Sequence, residues 1–158
     1  MATRANSSKY ITGADTSGNG NSSSYDVFIS HCKRAPGSED RALWIADVFE
    51  EAGMSTFFDL QNLEEISQEQ LRADVLKSKC LVTVLDPETF KSQWVVLENQ
   101  TAAENGTPIV IFFDGDKYAW NELSFWVEEF PAFFKIPAIE YEPGPDAAAP
   151  RCPHCVQC

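Results

Sequence analysis

The stretch Tyr25 to His31, which reads YDVFISH, decides the fold. Its centre, Val27 to Ile29, consists of three consecutive apolar residues. A strand that is apolar on both faces is buried on both, which is typical of a parallel sheet between two layers of helices. In such sheets ligands bind at the carboxyl ends of the strands. We therefore expect chemistry first in the segment that begins at Ser30 and His31.

Strand and helix patterns alternate along the rest of the chain. Apolar runs predict further strands at residues 54–58, 80–85, 108–113 and 133–139. Between the strands, apolar residues recur at helical spacing. Alternation at this spacing is typical of βαβ crossovers, so the sequence predicts an α/β domain with a parallel sheet.

Each predicted helix follows a polar residue that is able to cap it. These residues are Ser38, Ser67 (a capping box with Gln70), Ser92 and Asn121. The last helix is predicted to end at Pro131, because proline cannot continue a helix. Residues predicted to face the core are Leu71, Val75 and Leu76 in the second helix, and Val95, Val96, Ala102 and Ala103 in the third.

Composition divides the chain into three parts. Residues 1–24 are rich in Ser, Gly, Asn and Thr without periodic apolar positions, and are predicted to be a disordered leader. Residues 25–141 form the predicted domain. Residues 142–158 combine EPGPDAAAP with RCPHCVQC and are predicted to be a flexible linker and a Cys-rich tail.

The charge balance restricts the classes of partner. Twelve basic against twenty-four acidic residues give a net charge of −12. This excess repels a phosphate backbone, so nucleic acid is not an expected partner. No stretch approaches the roughly 20 apolar residues of a membrane helix, and no secretory signal is visible. The cysteines do not form a disulfide framework, so we expect a cytoplasmic protein in a reducing compartment.

The cysteines of the tail leave three interpretations open. Cys152, Cys155 and Cys158, with His154 among them, have metal-ligand spacing, but a second ligand pair is not evident. The last four residues only loosely resemble a prenylation box, which leaves a lipid anchor as an alternative. A flexible thiol-bearing tail is the default, and we expect no metal site.

Four stretches, in order and at domain-length spacing, resemble those of a Toll/interleukin-1 receptor (TIR) domain. They are YDVFISH, MSTFFDLQNLE (54–64), SQWVVLE (92–98) and PIVIFFDG (108–115). The resemblance covers residues 25–141. In detail the chain is most similar to the NAD-hydrolysing TIR domain of the animal axon-degeneration protein, which has a similar Trp followed four residues later by Glu.

The resemblance implies a flavodoxin-like three-layer fold with a five-stranded parallel sheet. It also implies a role in signal transduction, in innate immunity or cell death, through homo-oligomers and contacts with other TIR domains. In the NAD-cleaving branch, NAD+ is the substrate rather than a cofactor. Such an NAD+ nucleosidase yields nicotinamide and ADP-ribose, or its cyclic form, on self-association. The alternative is a non-enzymatic adaptor that acts only through TIR–TIR interaction.

Glu98 is the candidate catalytic residue. It lies four residues after Trp94, so both side chains share the flank of one predicted helix. A carboxylate beside an aromatic ring is able to stabilise the oxocarbenium-like state through which nicotinamide leaves ribose. The resemblance implies this role, because the matching Glu is catalytic in the NAD-cleaving branch. The alternative is a solvated helix residue.

The resemblance also implies a set of residues around NAD+. They are His31, Cys32 and Lys33 after the first strand, Leu63 and Glu64 in the family's BB loop (here 59–66), Trp94, and Tyr118 and Trp120 as stacking rings. Each has an ordinary structural alternative, as a polar loop or an aromatic cover. Cys32 stands where the similar enzyme has a basic residue, and Ile66 where a Gly is usual. Both departures favour the adaptor.

Overall fold

The computed structural model describes residues 24–58 and 67–141. Five parallel strands form one sheet in the order β2-β1-β3-β4-β5. The strands are β1 Tyr25–Ser30, β2 Thr56–Phe58, β3 Ser78–Leu85, β4 Ile109–Asp114 and β5 Ala138–Tyr141. This arrangement confirms the predicted α/β fold with a five-stranded parallel sheet. The predicted leader, BB loop and tail lie outside the described residues.

Within the described residues, four helices and three 3₁₀ turns lie between the strands. The helices are α1 Ser38–Glu51, α2 Gln68–Leu76, α3 Gln93–Glu104 and α4 Trp120–Leu123. The 3₁₀ turns are Thr89–Lys91, Ser124–Glu128 and Phe133–Lys135. α1 packs on one face of the sheet, whereas α2 and α3 pack on the other.

β1 is buried on both faces, as its sequence predicts. Ile29 packs against Ala42 and Ile45 of α1 on one face. Phe28, on the opposite face, belongs to a cluster with Leu71 and Val75 of α2. Because the sheet alternates its side chains, the next residue on the face of Phe28 is Ser30, at the carboxyl end of the strand.

Two of the four predicted caps, Ser67 and Ser92, are confirmed, and two, Ser38 and Asn121, are wrong. The Oγ atoms of Ser67 and Ser92 accept hydrogen bonds from backbone N–H groups three residues later, at 3.1 and 3.4 Å. Ser38 is not a cap, because Gly37 precedes the helix with φ +70° and makes Ser38 the first helical residue. The Ser38 side chain is buried, and its Oγ has no hydrogen-bond partner within the described ranges.

The segment before β5 differs from the predicted single helix and long strand. α4 starts after Ala119, whose N–H donates to Glu122, and it ends at Leu123. Asn121 therefore lies inside the helix rather than at its cap. The rings that follow gather around Phe90: Trp126, Phe133 and Phe134 lie in 3₁₀ turns, and Phe130 lies between the two turns.

β5 begins at Ala138 rather than at Phe133. Phe133 is in a 3₁₀ turn with its ring buried against Phe90. Pro137 precedes the strand and has no N–H to offer to the ladder. The first residue of β5 in register with β4 is therefore Ala138, opposite Ile111.

Two residues predicted to face the core face solvent. Ala103 of α3 is exposed, and Leu76, the last residue of α2, is 50% exposed. Leu71 and Val75 are buried because they are four residues apart and share one face of α2. Leu76 follows Val75 by a further 100° around the helix, which turns it away from the sheet.

The neighbours Val75 and Leu76 provide a matched test of this face. Val75→Ala should lower the free energy of unfolding by about 2 kcal/mol, because Val75 is fully buried and two methyl groups are lost from the core. Leu76→Ala should change it by less than about 0.5 kcal/mol, since it is at the surface. Urea denaturation measures both. Equal losses in the two variants would contradict the orientation of α2.

Candidate functional site

A polar cavity lies at the carboxyl edge of the sheet, between the segments that follow β1 and β3. The two strands are neighbours, but their connections run over opposite faces through α1 and α3. This is the switch point at which α/β sheets bind ligands. The cavity has a volume of about 370 Å³ and is lined by Cys32, Lys33, Arg34, Glu88, Lys91, Ser92, Gln93 and Trp94.

The charges around this cavity differ in sign from those of the whole chain. Among the described residues, three basic side chains line it, Lys33, Arg34 and Lys91, against one acidic side chain, Glu88. Glu88 pairs with Lys91 at 2.7 Å. The amino terminus of α3 at Ser92 also faces the cavity, and helix amino termini attract anions. A protein of net charge −12 therefore has a locally basic cavity at its switch point.

Glu98 is a buried carboxylate at the same edge of the sheet. It lies one turn along α3 from Trp94 and is 7% exposed. The hydroxyl of Ser30, the last residue of β1, donates a hydrogen bond to Glu98 Oε2. Trp94 and Glu98 therefore lie one turn apart on α3, as the sequence spacing predicts. The Trp94 ring lines the cavity, and the Glu98 carboxylate contacts the end of β1.

His31 lies on the opposite face of the sheet from Ser30. Its ring stacks on Phe58, with centroids 4.9 Å apart and planes 13° apart. Burial, and after it the positive charges of Lys33 and Arg41, lower the pKa of His31 to about 4. The imidazole is therefore neutral at pH 7.

The lowered pKa of His31 makes stability depend on pH between about 6.5 and 4. The unfolded chain binds the proton below its ordinary pKa of 6.5, whereas the folded domain does so only near 4. Stability is therefore complete above pH 6.5, and falls by about 3 kcal/mol as the pH drops to 4. Hydrogen bonds with Lys79 and Ser55 lower the pKa of Asp26 from 3.8 to about 2. The stability that Asp26 contributes is therefore lost only as the pH falls from 3.8 to about 2, below the window of His31.

His31→Gln should flatten the pH dependence in this window, because glutamine does not titrate. Urea denaturation at pH 7 and pH 4.5 in both proteins measures the difference. An equally steep loss of stability in His31→Gln would show that another group is responsible.

Comparison with known proteins identifies the family. The sequence profile described as TIR domain matches residues 27–129, about two thirds of the chain. The chain belongs to the TIR domain family.

Two solved TIR structures are similar to this TIR domain. One is the set of TIR domains in the activated Roq1 resistosome directly recognising the pathogen effector XopQ, at 28% identity and a TM-score of 0.43. The match covers 57% of each chain, so this protein spans less than two thirds of that relative. The other is the TIR domain of the Toll-related receptor TRR-2 of Hydra magnipapillata, at 24% identity and a TM-score of 0.42. That match covers 56% of this chain and 70% of the receptor chain. No curated protein matches.

The TIR domain brings together only part of the predicted nucleotide site. Cys32, Lys33 and Trp94 line one cavity, with Glu98 one helical turn away. Burial raises the pKa of the Cys32 thiol, which is 3% exposed and neutral at pH 7. Leu63 and Glu64 lie outside the described residues, so their roles stay predictions.

Tyr118 and Trp120 are not among the described residues that line this cavity. The Tyr118 ring lies against Arg41 and Lys117, whose charged groups are 5.5 and 5.4 Å from its centroid. Trp120 packs on Phe113 at 5.4 Å and is 42% exposed. Their stacking on nicotinamide stays a prediction.

The sequence interpretation missed Arg34, Lys91 and Gln93 on the cavity wall, and it named Ser30 only as the start of the segment in which chemistry is expected. Arg34 is the second residue of the pair Lys33–Arg34, and two consecutive basic residues are only a weak signal of a binding site. Ser30 is the first polar residue after an apolar strand centre, a signal that was available. Lys91 and Gln93 come from the segment after β3, and only the neighbouring positions of β1 and β3 place them beside Lys33.

A buried ion pair joins the two segments that form the cavity. Arg41 Nη2 lies 3.2 Å from Asp86 Oδ2, and the two residues are 7% and 0% exposed. Arg41 also donates to the carbonyl of Pro36 in the segment after β1. Asp86 accepts a hydrogen bond from the Glu88 N–H in the segment after β3. The pair therefore fixes the spacing of the two walls.

Residues 24–58 and 67–141 contain no grouping of three or more His, Cys, Asp or Glu side chains that would hold a metal ion. The helices within the same ranges are too short or too polar to cross a membrane.

Proposed function

We propose that this TIR domain cleaves NAD+ into nicotinamide and ADP-ribose or its cyclic form, with Glu98 as the catalytic carboxylate. The observation that carries the proposal is a buried carboxylate beside a basic, tryptophan-containing cavity at the switch point of the sheet. Buried carboxylates are uncommon unless they are paired, and this one receives a hydrogen bond from Ser30. Such a carboxylate at a ligand-binding edge is a candidate for catalysis.

The cavity has the chemistry that a dinucleotide requires. Lys33, Arg34 and Lys91 provide positive charge for the diphosphate, and the α3 amino terminus adds partial positive charge. Trp94 offers an aromatic face for a base or for the nicotinamide ring. Its volume of about 370 Å³ is within the range of small-molecule sites.

The reaction separates nicotinamide from C1′ of ribose and leaves positive charge on the sugar. A carboxylate near this centre stabilises the oxocarbenium-like state more than the ground state, in which the ribose ring carries no charge. Little water surrounds Glu98, which is 7% exposed, so its charge is weakly screened. Water, or a group of the same molecule, then attacks C1′ and gives the linear or the cyclic product.

The second candidate function is that of an adaptor in signalling that acts through contacts between TIR domains. The observation that favours it is the group of exposed apolar side chains on the segment after β4, with Trp120, Phe125 and Val127 at 42%, 53% and 44% exposure. Apolar side chains of this kind are suited to protein–protein contact. The two functions are compatible, since an enzyme that completes its site by self-association has both. We place either activity in the cytoplasm, in signalling of the innate-immunity type.

Incubation of the full 158-residue chain with NAD+ tests the proposal. Released nicotinamide, measured by chromatography at low and high micromolar protein, is the expected result. If self-association completes the site, the rate per molecule should rise with protein concentration. Sedimentation of the same samples supplies the control. Association without nicotinamide release would support the adaptor and overturn the enzyme.

A further inference from the structure

Two hydroxyl groups on neighbouring strands bond to two consecutive residues of α3. Ser30 of β1 donates to Glu98, and Thr83 of β3 donates to Asn99 Oδ1 at 2.8 Å. Ser30 and Thr83 are register partners in the sheet, so the two hydroxyls lie side by side. The described structure therefore connects α3 to the sheet at two adjacent points.

All four side chains are buried. Ser30 and Thr83 are fully buried, and Glu98 and Asn99 are each 7% exposed. The Asn99 amide also donates to the carbonyl of Val95 at 2.9 Å, which fixes the orientation of its oxygen towards Thr83. Buried polar side chains in proteins are usually hydrogen-bonded, and here the hydrogen bonds join a helix to a sheet.

The Thr83–Asn99 hydrogen bond lies between α3 and the sheet, where apolar side chains of similar size would also fill the space. Its presence there therefore suggests a role beyond packing. Around this bond, α3 rests on the sheet through Leu97 and Ala102, which belong to the same cluster as Leu81. Apolar contacts are non-directional, so they leave the rotation of a helix about its axis weakly defined. A hydrogen bond depends steeply on distance and angle, and two bonds 100° apart on the helix define its rotation.

We propose that Thr83 and Asn99 are positioning residues that set the rotation of α3, and that Ser30 orients the Glu98 carboxylate within that setting. The inference rests on the proposed NAD+ cleavage for its kinetic consequences, but its structural part stands without it. Ser30 donates to a carboxyl oxygen, and a donor in this position favours the ionised form of a carboxyl group over the neutral form. Thr83 and Asn99 act only through the helix. Their loss should therefore affect catalysis differently from the loss of Ser30.

The test compares Thr83→Val/Asn99→Leu with Ser30→Ala. The double variant removes both partners of the Thr83–Asn99 bond. The Val95 carbonyl loses its bond from the Asn99 side chain but remains a helical acceptor for the backbone N–H four residues later, so the melting temperature should stay within a few degrees of wild type. Its kcat should fall by about 10- to 100-fold, because displacement of a catalytic group by about 1 Å costs this much, with KM changed less than about threefold. Wild-type kcat in a stable double variant would overturn the positioning role.

Ser30→Ala should move the acidic limb of the pH profile of kcat to higher pH, because the charged carboxylate loses a donor. In the double variant, the acidic limb of the kcat profile should stay at the wild-type pH, and only the maximal kcat should be lower. Ser30→Thr, which keeps the hydroxyl, should restore the wild-type limb. Identical limbs in Ser30→Ala and wild type would refute the part assigned to Ser30.

A readout without activity separates this inference from the proposed function. In ¹³C NMR, the titration midpoint of the Glu98 carboxyl should rise in Ser30→Ala and stay unchanged in the double variant. Backbone amides of α3 should exchange faster in the double variant than in wild type. If the protein releases no nicotinamide but shows both changes, the enzyme proposal fails and the positioning inference holds. Unchanged titration and exchange would refute the inference whatever the activity.

Discussion

Replacement of Phe28 by aspartate is expected to unfold the domain. Phe28 is fully buried in the centre of β1 and stacks on Phe57 with ring centroids 5.0 Å apart. The change removes a large ring from the core, at a cost of about 3–5 kcal/mol, and adds an unpaired carboxyl group that costs several more. Together these losses approach or exceed the 5–15 kcal/mol that typically stabilises a domain.

Circular dichroism during thermal unfolding measures this result. Phe28→Asp should show no cooperative transition, or should accumulate as insoluble protein. Met54→Asp is the matched control, because Met54 lies before β2 at 40% exposure and should tolerate the charge within about 0.5 kcal/mol. A cooperative melt of Phe28→Asp within a few degrees of wild type would refute the central position of β1.

Replacement of Glu98 by glutamine is expected to lower the rate of nicotinamide release by about 100- to 10,000-fold. Glutamine has nearly the same size and keeps an oxygen that is able to accept the Ser30 hydroxyl, so the fold should survive. It lacks the negative charge that stabilises the ribosyl cation. The loss should appear in kcat rather than KM, because the interaction is strongest in the transition state.

Glu104→Gln is the control for this variant. Glu104 is the last residue of the same helix and is exposed, so its replacement removes the same charge from the same helix without touching the site. Its rate should equal that of wild type. If Glu98→Gln, folded by circular dichroism, retains activity within a few-fold of Glu104→Gln, then Glu98 is not the catalytic carboxylate.

The features that the sequence determined by itself are those that depend on neighbours along the chain. Three consecutive apolar residues at Val27 to Ile29 require burial on both faces of a strand, wherever the strand lies. Capping by Ser67 and Ser92 depends only on a backbone N–H three residues later. The pairing of Trp94 with Glu98 follows from helical spacing alone.

Other features depend on residues that are distant in sequence, so only the tertiary structure decided them. Ser30 and Thr83 are neighbours because β1 pairs with β3 in one register, and a pattern along the chain does not contain that register. The same pairing places Lys91 near Lys33 and so makes the cavity basic.

The start of β5 and the state of His31 were also decided by packing. Packing of the Phe133 ring against Phe90, beside the ring of Phe130, favours a 3₁₀ turn at Phe133 and overrides the apolar run that predicted a strand there. The pKa of His31 is lowered because the fold buries its ring against Phe58. Local patterns specify which elements form, whereas burial and register arise only when those elements meet.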